Sequence, residues 1–242
     1  MSDREPILNV PTVIVALALA MGVIHGYRMA VLDPETDVQF LLTFAFIPTR
    51  YEASLATSWG FPGGTFADAW TFITYAFLHG SWVHLGVNVL WLLVFGSPVA
   101  RRLGAFRSTL LFAVTAAAGA LAHLIAFGSE FVPMVGASAA VSGFTAAALR
   151  FVFQPGGPLG GRLSSDPAAY LVPALGLGEL VRNRAVMGII ALWVIMNVVF
   201  GAASLPMPGV EGAVAWQAHL GGFLAGLLLF PLFDPMKSQP AT

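Results

Sequence analysis

The chain of 242 residues contains no cysteine and few charges: 11 Lys plus Arg and 12 Asp plus Glu, 10% of its residues. Without cysteine it has no disulfide, no thiolate metal site and no cysteine nucleophile, so any covalent chemistry falls to Ser, Thr, Lys, His or a carboxylate. A soluble domain of this size would carry roughly 60 charged side chains, at about a quarter of its residues. Fewer than half that number are present, and they are bunched between long apolar runs. The formal net charge of −1 supplies no basic field, so no nucleic-acid partner is expected. Against these absences stand 57% hydrophobic residues and a mean hydropathy of +0.82. Collagen, disulfide scaffolds and disordered tails are excluded, and the chain reads as an all-α, polytopic membrane protein.

A helix crossing the hydrocarbon core needs about 20 mainly apolar residues. Six runs meet this, over roughly 11–32, 82–99, 109–127, 132–153, 185–203 and 213–233, predicting a single six-helix domain over 1–242. Two further apolar stretches, Phe40 to Ile47 and Ala69 to Leu78, are too short to cross and are flanked by Pro48, Gly60, Pro62, Gly63 and Gly64. They read as interfacial or re-entrant pieces of a long first loop, 33–81. Asp3 and Glu5 spoil the positive segment a secretory signal needs, so the first run is expected to be a retained span.

Lys and Arg placement sets the orientation. With both termini inside, Arg4, Arg101, Arg102, Arg107, Arg150, Arg162, Arg182, Arg184 and Lys237 lie inside, and Arg28 and Arg50 lie outside. This bias predicts cytoplasmic termini and an extracytoplasmic first loop; a cell inner (plasma) membrane is the expected location. The loop 154–184, rich in Pro and Gly, is expected to be a cytoplasmic connector, and no transporter-like internal repeat is evident.

Strongly polar residues within a span are costly, so each is a candidate site. These are His25, His84, Asn88, His123, Ser138, Ser142, Asn197 and His219, with His79 just outside span two. Ser81 is placed to cap the second helix, which puts His84 and Asn88, four apart and on one face, within about two turns of its outer end. Counting inward from Val132 and from Ala213, Ser138 and His219 each lie roughly 9 Å down. Both sit in small-residue faces, Gly136 to Gly143 and Ala218 to Gly226, the second containing the Gly222–Gly226 pair. A serine so placed is ordinarily a packing residue. A histidine within hydrogen-bond reach would make it a nucleophile, because the alcohol is weak until a base takes its proton. His25, beside Tyr27 and Arg28, reads as an interfacial anchor; His123 and Asn197 read as interhelical hydrogen-bonding groups; Ser142 fits packing or back-bonding to its own helix.

At these residues the sequence resembles the rhomboid family of intramembrane serine proteases, in its bacterial six-helix form. The resemblance rests on His79, Gly80, His84 and Asn88 in span two, Gly136 to Ser138 in span four, and Ala218, His219, Gly222 and Gly226 in span six. It implies Ser138 as nucleophile, His219 as general base, and His84 and Asn88 beside the Ser138 N–H as oxyanion donors, with Gly136, Gly222 and Gly226 packing around the site. Ala139 stands where the family has glycine, and its methyl group is expected to crowd span six or the oxyanion site. No carboxylate within a span is placed to orient His219, so a Ser–His dyad is expected.

The implied reaction is endopeptidase cleavage of transmembrane protein substrates near the extracytoplasmic face, with membrane lipid as the surroundings and no cofactor. The alternative is a non-catalytic relative that binds membrane clients without cutting them. A metal centre is not expected, since zinc wants three or more ligands and neither Cys nor a buried carboxylate is near. A bis-His haem needs room that the Gly and Ala faces deny.

Overall fold

The computed structural model describes residues 9–52, 54, 60–161, 166–203 and 214–236. Arg4, Arg162 and Lys237 of the basic set, with Asp3, Glu5 and the start of the sixth run at 213, lie outside the described residues. Among the described residues eight α-helices have ten or more residues: α1 (Thr12–Ala30), α2 (Pro34–Phe44), α3 (Gly64–Thr74), α4 (Trp82–Trp91), α5 (Ser97–Phe127), α6 (Ser138–Leu149), α7 (Arg184–Asn197) and α8 (Trp216–Phe233). No β-strand occurs among the described residues; Phe46 and Met134 form an isolated antiparallel bridge. The fold is a helical membrane bundle.

Four helical stretches are individually long and apolar enough to cross a membrane: Thr12–Ala30, Trp82–Phe127, Arg184–Ala202 and Trp216–Phe233. The second holds 46 residues, about 69 Å at the helical rise and more than twice the hydrocarbon thickness. It joins α4, a π-helical turn at Leu92–Gly96 and α5, and its helical backbone is broken at Gly104 (φ 77°, ψ 171°). A side chain at that positive φ would be strained, so the glycine permits the break.

α6 departs from the sequence reading. It is 12 residues long and begins at Ser138, not Val132. Pro133 interrupts helical bonding, Gly136 takes φ +117°, and the Phe46 and Met134 amides exchange bonds across the bridge at 3.1 and 2.8 Å. The apolar residues 132–135 are thus extended chain pinned to the first loop, and Ser138 is the first residue of its helix.

The core of the bundle is α5, α6 and α8, packed backbone to backbone. Methyl groups added to Gly222 or Gly226 would penetrate the carbonyls of Ala139 and Gly143, and one on Gly221 would lie 2.6 Å from the Ala118 oxygen. This is the close approach that small-residue faces allow in lipid.

Arginines fasten both ends. At the end carrying Ser138, Arg28 is bidentate to Asp37 at 2.7 and 3.0 Å and donates to the His79 carbonyl at 2.8 Å, tying α1 to α2 and to the entrance of α4. Buried Arg50 donates to the carbonyls of Leu42 and Pro62 and lies 4.8 Å from the centre of the Phe61 ring, holding the first loop together. Beside it, burial pushes the Tyr51 phenol up to about 12, so it stays protonated and donates to the Asp68 carbonyl at 3.0 Å. At the opposite end Arg102 pairs with Asp234 at 2.8 Å, and Arg150 donates to the carbonyls of Leu175 and Leu227.

Candidate active site

Three helices from distant parts of the chain bring the polar residues together. Ser138 opens α6, where the first amides of a helix have no intrahelical acceptor and the dipole is positive. His219 lies in the first turn of α8. Their side chains meet with Ser138 Oγ to His219 Nε2 at 2.7 Å, and both are half-buried. The contact depends on the small faces beneath it, because Gly222, three residues along α8 from His219, rests on the Ala139 backbone next to Ser138.

His84 and Asn88 reach the same place from α4. The Ser81 side chain caps this helix by accepting from the His84 amide at 3.1 Å, as its sequence suggested. A methyl group added to Gly136 would lie 2.7 Å from His84 Nε2 and 3.7 Å from Asn88 Nδ2, so both nitrogens face the bend that leads into Ser138. Gly136 is required twice over, by its positive φ and by this approach. Its amide donates to the Tyr75 carbonyl at 3.0 Å, while the Tyr75 hydroxyl donates to the Ala116 carbonyl at 2.8 Å, fixing the bend to α5. Asn88 spends one amide hydrogen on the His84 carbonyl at 3.0 Å and keeps a second for another acceptor.

His79 stands behind His84, buried, with ring centres 5.2 Å apart in an edge-to-face contact. Burial, reinforced by His84 and His25, holds His79 down to about 3, so it packs there as a neutral ring. His25 is not an interfacial anchor: it is fully buried, 4.5 Å from the Trp82 ring centre. His123 Nε2 donates to the Val132 carbonyl at 2.9 Å, an anchor for the segment entering α6.

Two findings were not read from the sequence. The methyl group of Ala139 packs toward Gly119 of α5, where a side chain on that glycine would collide with it, and the part of Ala139 facing Gly222 is its backbone. His219 has a second partner, since its Nδ1 lies 2.8 Å from Asn197 Oδ1 on α7. Among the described residues no group of three or more His or carboxylate side chains is arranged to hold a metal.

A half-buried serine bonded to a histidine, at a helix N-terminus flanked by amide and imidazole nitrogens, is the grouping that acyl transfer requires. Residues 67–234 match the Rhomboid domain family. The chain belongs to the rhomboid family. It is 30% identical over 162 residues to RHOMBOID-like protein 4 of Arabidopsis thaliana, covering 67% of this chain and 33% of that protein. Rhomboid protease GlpG of Serratia proteamaculans (strain 568) is 26% identical over 172 residues, 71% of this rhomboid and 51% of that one. Rhomboid-related protein 3 of Homo sapiens is 36% identical over 83 residues, 34% of this chain and 20% of its own. This rhomboid thus spans between a fifth and about half the length of these relatives.

Proposed function

We propose that this rhomboid is an intramembrane serine endopeptidase that cleaves transmembrane proteins near the extracytoplasmic face of a cell's inner membrane, with six crossings and both termini cytoplasmic. The observation carrying this reading is the 2.7 Å bond between Ser138 Oγ and His219 Nε2. The similarity to a relative named as a rhomboid protease supports it.

In the reaction, Ser138 Oγ attacks the scissile carbonyl carbon while His219 Nε2 takes the hydroxyl proton. The carbonyl oxygen becomes negative and is met by the Ser138 N–H at the α6 terminus, the free amide hydrogen of Asn88 and His84 Nε2. The intermediate collapses, the C–N bond breaks, and His219 returns the proton to the leaving amine. Water then attacks the acyl-Ser138 ester with His219 again as base, releasing the acid and restoring the hydroxyl. The partial exposure of Ser138 and His219 gives that water a route. A substrate helix must unwind locally to present its carbonyl to Ser138, because helical carbonyls are occupied by their own hydrogen bonds.

The test is cleavage of a single-pass membrane reporter in proteoliposomes by the wild-type chain and by Ser138→Ala. Cutting by the first alone is expected. A wild-type protein that captures the reporter without cutting it establishes instead a client-binding relative. For orientation, alkaline phosphatase fused after Thr242 is expected to be inactive, and activity there would reverse the topology.

A further inference from the structure

His219 uses both ring nitrogens. Nε2 faces Ser138 Oγ at 2.7 Å and Nδ1 faces Asn197 Oδ1 at 2.8 Å. Which nitrogen carries the proton follows from the Asn197 amide. Its Nδ2 donates to the Trp193 carbonyl, one turn back on α7, at 2.8 Å. That bond fixes the amide with its oxygen toward His219, and an amide oxygen only accepts. Nδ1 must therefore hold the hydrogen, leaving the Nε2 lone pair aimed at the Ser138 hydroxyl. This is the tautomer in which a general base is able to act.

We propose that Asn197 is a positioning residue for the reaction: it selects the His219 tautomer, holds the ring toward Ser138, and stabilises the imidazolium formed when the serine proton is taken. The inference rests on the protease reading of the site. It adds to the Ser138–His219 pair of α6 and α8 an acceptor on α7 that holds the histidine without itself taking a proton.

The α7–α8 contact is built around this bond. Trp193 stacks on Phe223 with ring centres 4.5 Å apart, and a methyl group on Gly201 would lie 2.9 Å from the Trp216 ring. Residues 193, 197 and 201 recur at four-residue spacing on α7 and its continuation, opposite 223, 219 and 216 on α8. Asn197 is the middle rung, clamped on both sides. Directly after it the helix widens into a π-helical turn, Val198–Ala202, the type of irregularity that clusters at functional sites. The other titratable group that His219 senses is His84 on α4.

The experiment measures kcat, KM and the pH dependence of kcat on the membrane reporter for wild type, Asn197→Ala and Asn197→Asp, with Ser138→Ala beside them and folding followed by thermal melting. Asn197→Ala is expected to lower kcat about 10- to 100-fold, the scale of a hydrogen bond to a charged group, with KM within about twofold. Asn197→Asp keeps the acceptor and adds a negative charge that favours the imidazolium, so the acidic limb of kcat is expected to move to higher pH by about one unit or more. A residue that merely joins helices would leave kcat at the wild-type value in folded Asn197→Ala, whereas the limb in Asn197→Asp reports that the side chain lies against the reacting imidazole. A folded Asn197→Ala that keeps wild-type kcat overturns the assignment, and so does an unmoved limb in Asn197→Asp; if Asn197→Ala does not fold, the limb of Asn197→Asp decides. Cleavage that survives Ser138→Ala would instead sink the protease reading itself.

Discussion

Gly222→Ala tests how closely the chemistry depends on backbone packing. The added methyl carbon would lie 2.7 Å from the Ala139 carbonyl carbon and 3.1 Å from its Cα, as well as inside the radius of the carbonyl oxygen. Carbon atoms rest about 3.5–4.0 Å apart, so α8 has to withdraw from α6 by roughly 1 Å. Backbone atoms have no rotamer to escape into, and overpacking of this kind costs about 1–3 kcal/mol of stability. The larger effect falls on the site, because Ser138 and His219 sit on these two helices beside the contact. Withdrawal along their bond would lengthen it from 2.7 Å to roughly 3.7 Å, past hydrogen-bond range. A misplacement of that size costs on the order of 10²-fold in rate. The assay is reporter cleavage in proteoliposomes with thermal melting alongside. Leu228→Ala and Gly22→Ala serve as controls, since Leu228 is more than half exposed and nothing lies within 4 Å of a methyl group on Gly22. If Gly222→Ala cleaves as well as both controls, the close approach of α6 and α8 is not what aligns the pair.

Asn88→Ala is expected to lower kcat by about 10²–10³, roughly 2.7–4 kcal/mol, with KM within about twofold, since the oxyanion charge appears only in the transition state; a raised KM at constant kcat would place Asn88 in ground-state binding. Ala139→Gly is expected to lower the thermal midpoint, with a loss of roughly 1.5–2 kcal/mol of stability for one buried methyl group and a helical glycine, without raising kcat, because the methyl fills the space at Gly119. A gain in kcat would restore the idea that the methyl crowds the site. Arg50→Ala removes a guanidinium that serves two loop carbonyls and the Phe61 ring, and is expected to cost about 1.5–3 kcal/mol or more and to expose the first loop to protease; unchanged melting and digestion would show that the loop is held elsewhere.

How far the site was legible depended on whether its signal was local. His84 and Asn88 share a helix face at four-residue spacing, and the small residues around Ser138 and His219 mark faces that pack closely, so each half of the contact could be read from its own segment. The start of α6 was misread because Val132, Met134 and Val135 look like the first turn of an apolar helix. What keeps them extended is a bridge to Phe46, far off in sequence, together with Pro133 and the positive φ of Gly136. The Ala139 methyl was read by analogy with glycine, and its real neighbour, Gly119, lies on another helix. Asn197 reads as an interhelical hydrogen-bonding group and is one, but its partner escaped for the same reason, being set by how α7 and α8 align. A local signal did exist in the matched rows of Trp193, Asn197 and Gly201 against Phe223, His219 and Trp216, but a single chain does not say which two rows face each other.

The central claim is that His219 makes Ser138 a nucleophile. The most direct measurement is reaction of the folded protein with a fluorophosphonate, followed by peptide mapping of the adduct in wild type and in His219→Ala. The account predicts one phosphonylated residue, Ser138, in the wild-type protein, and labelling slowed at least 10²-fold when the histidine is removed. Labelling of Ser138 at an undiminished rate in His219→Ala, or an adduct at any other residue, would contradict it.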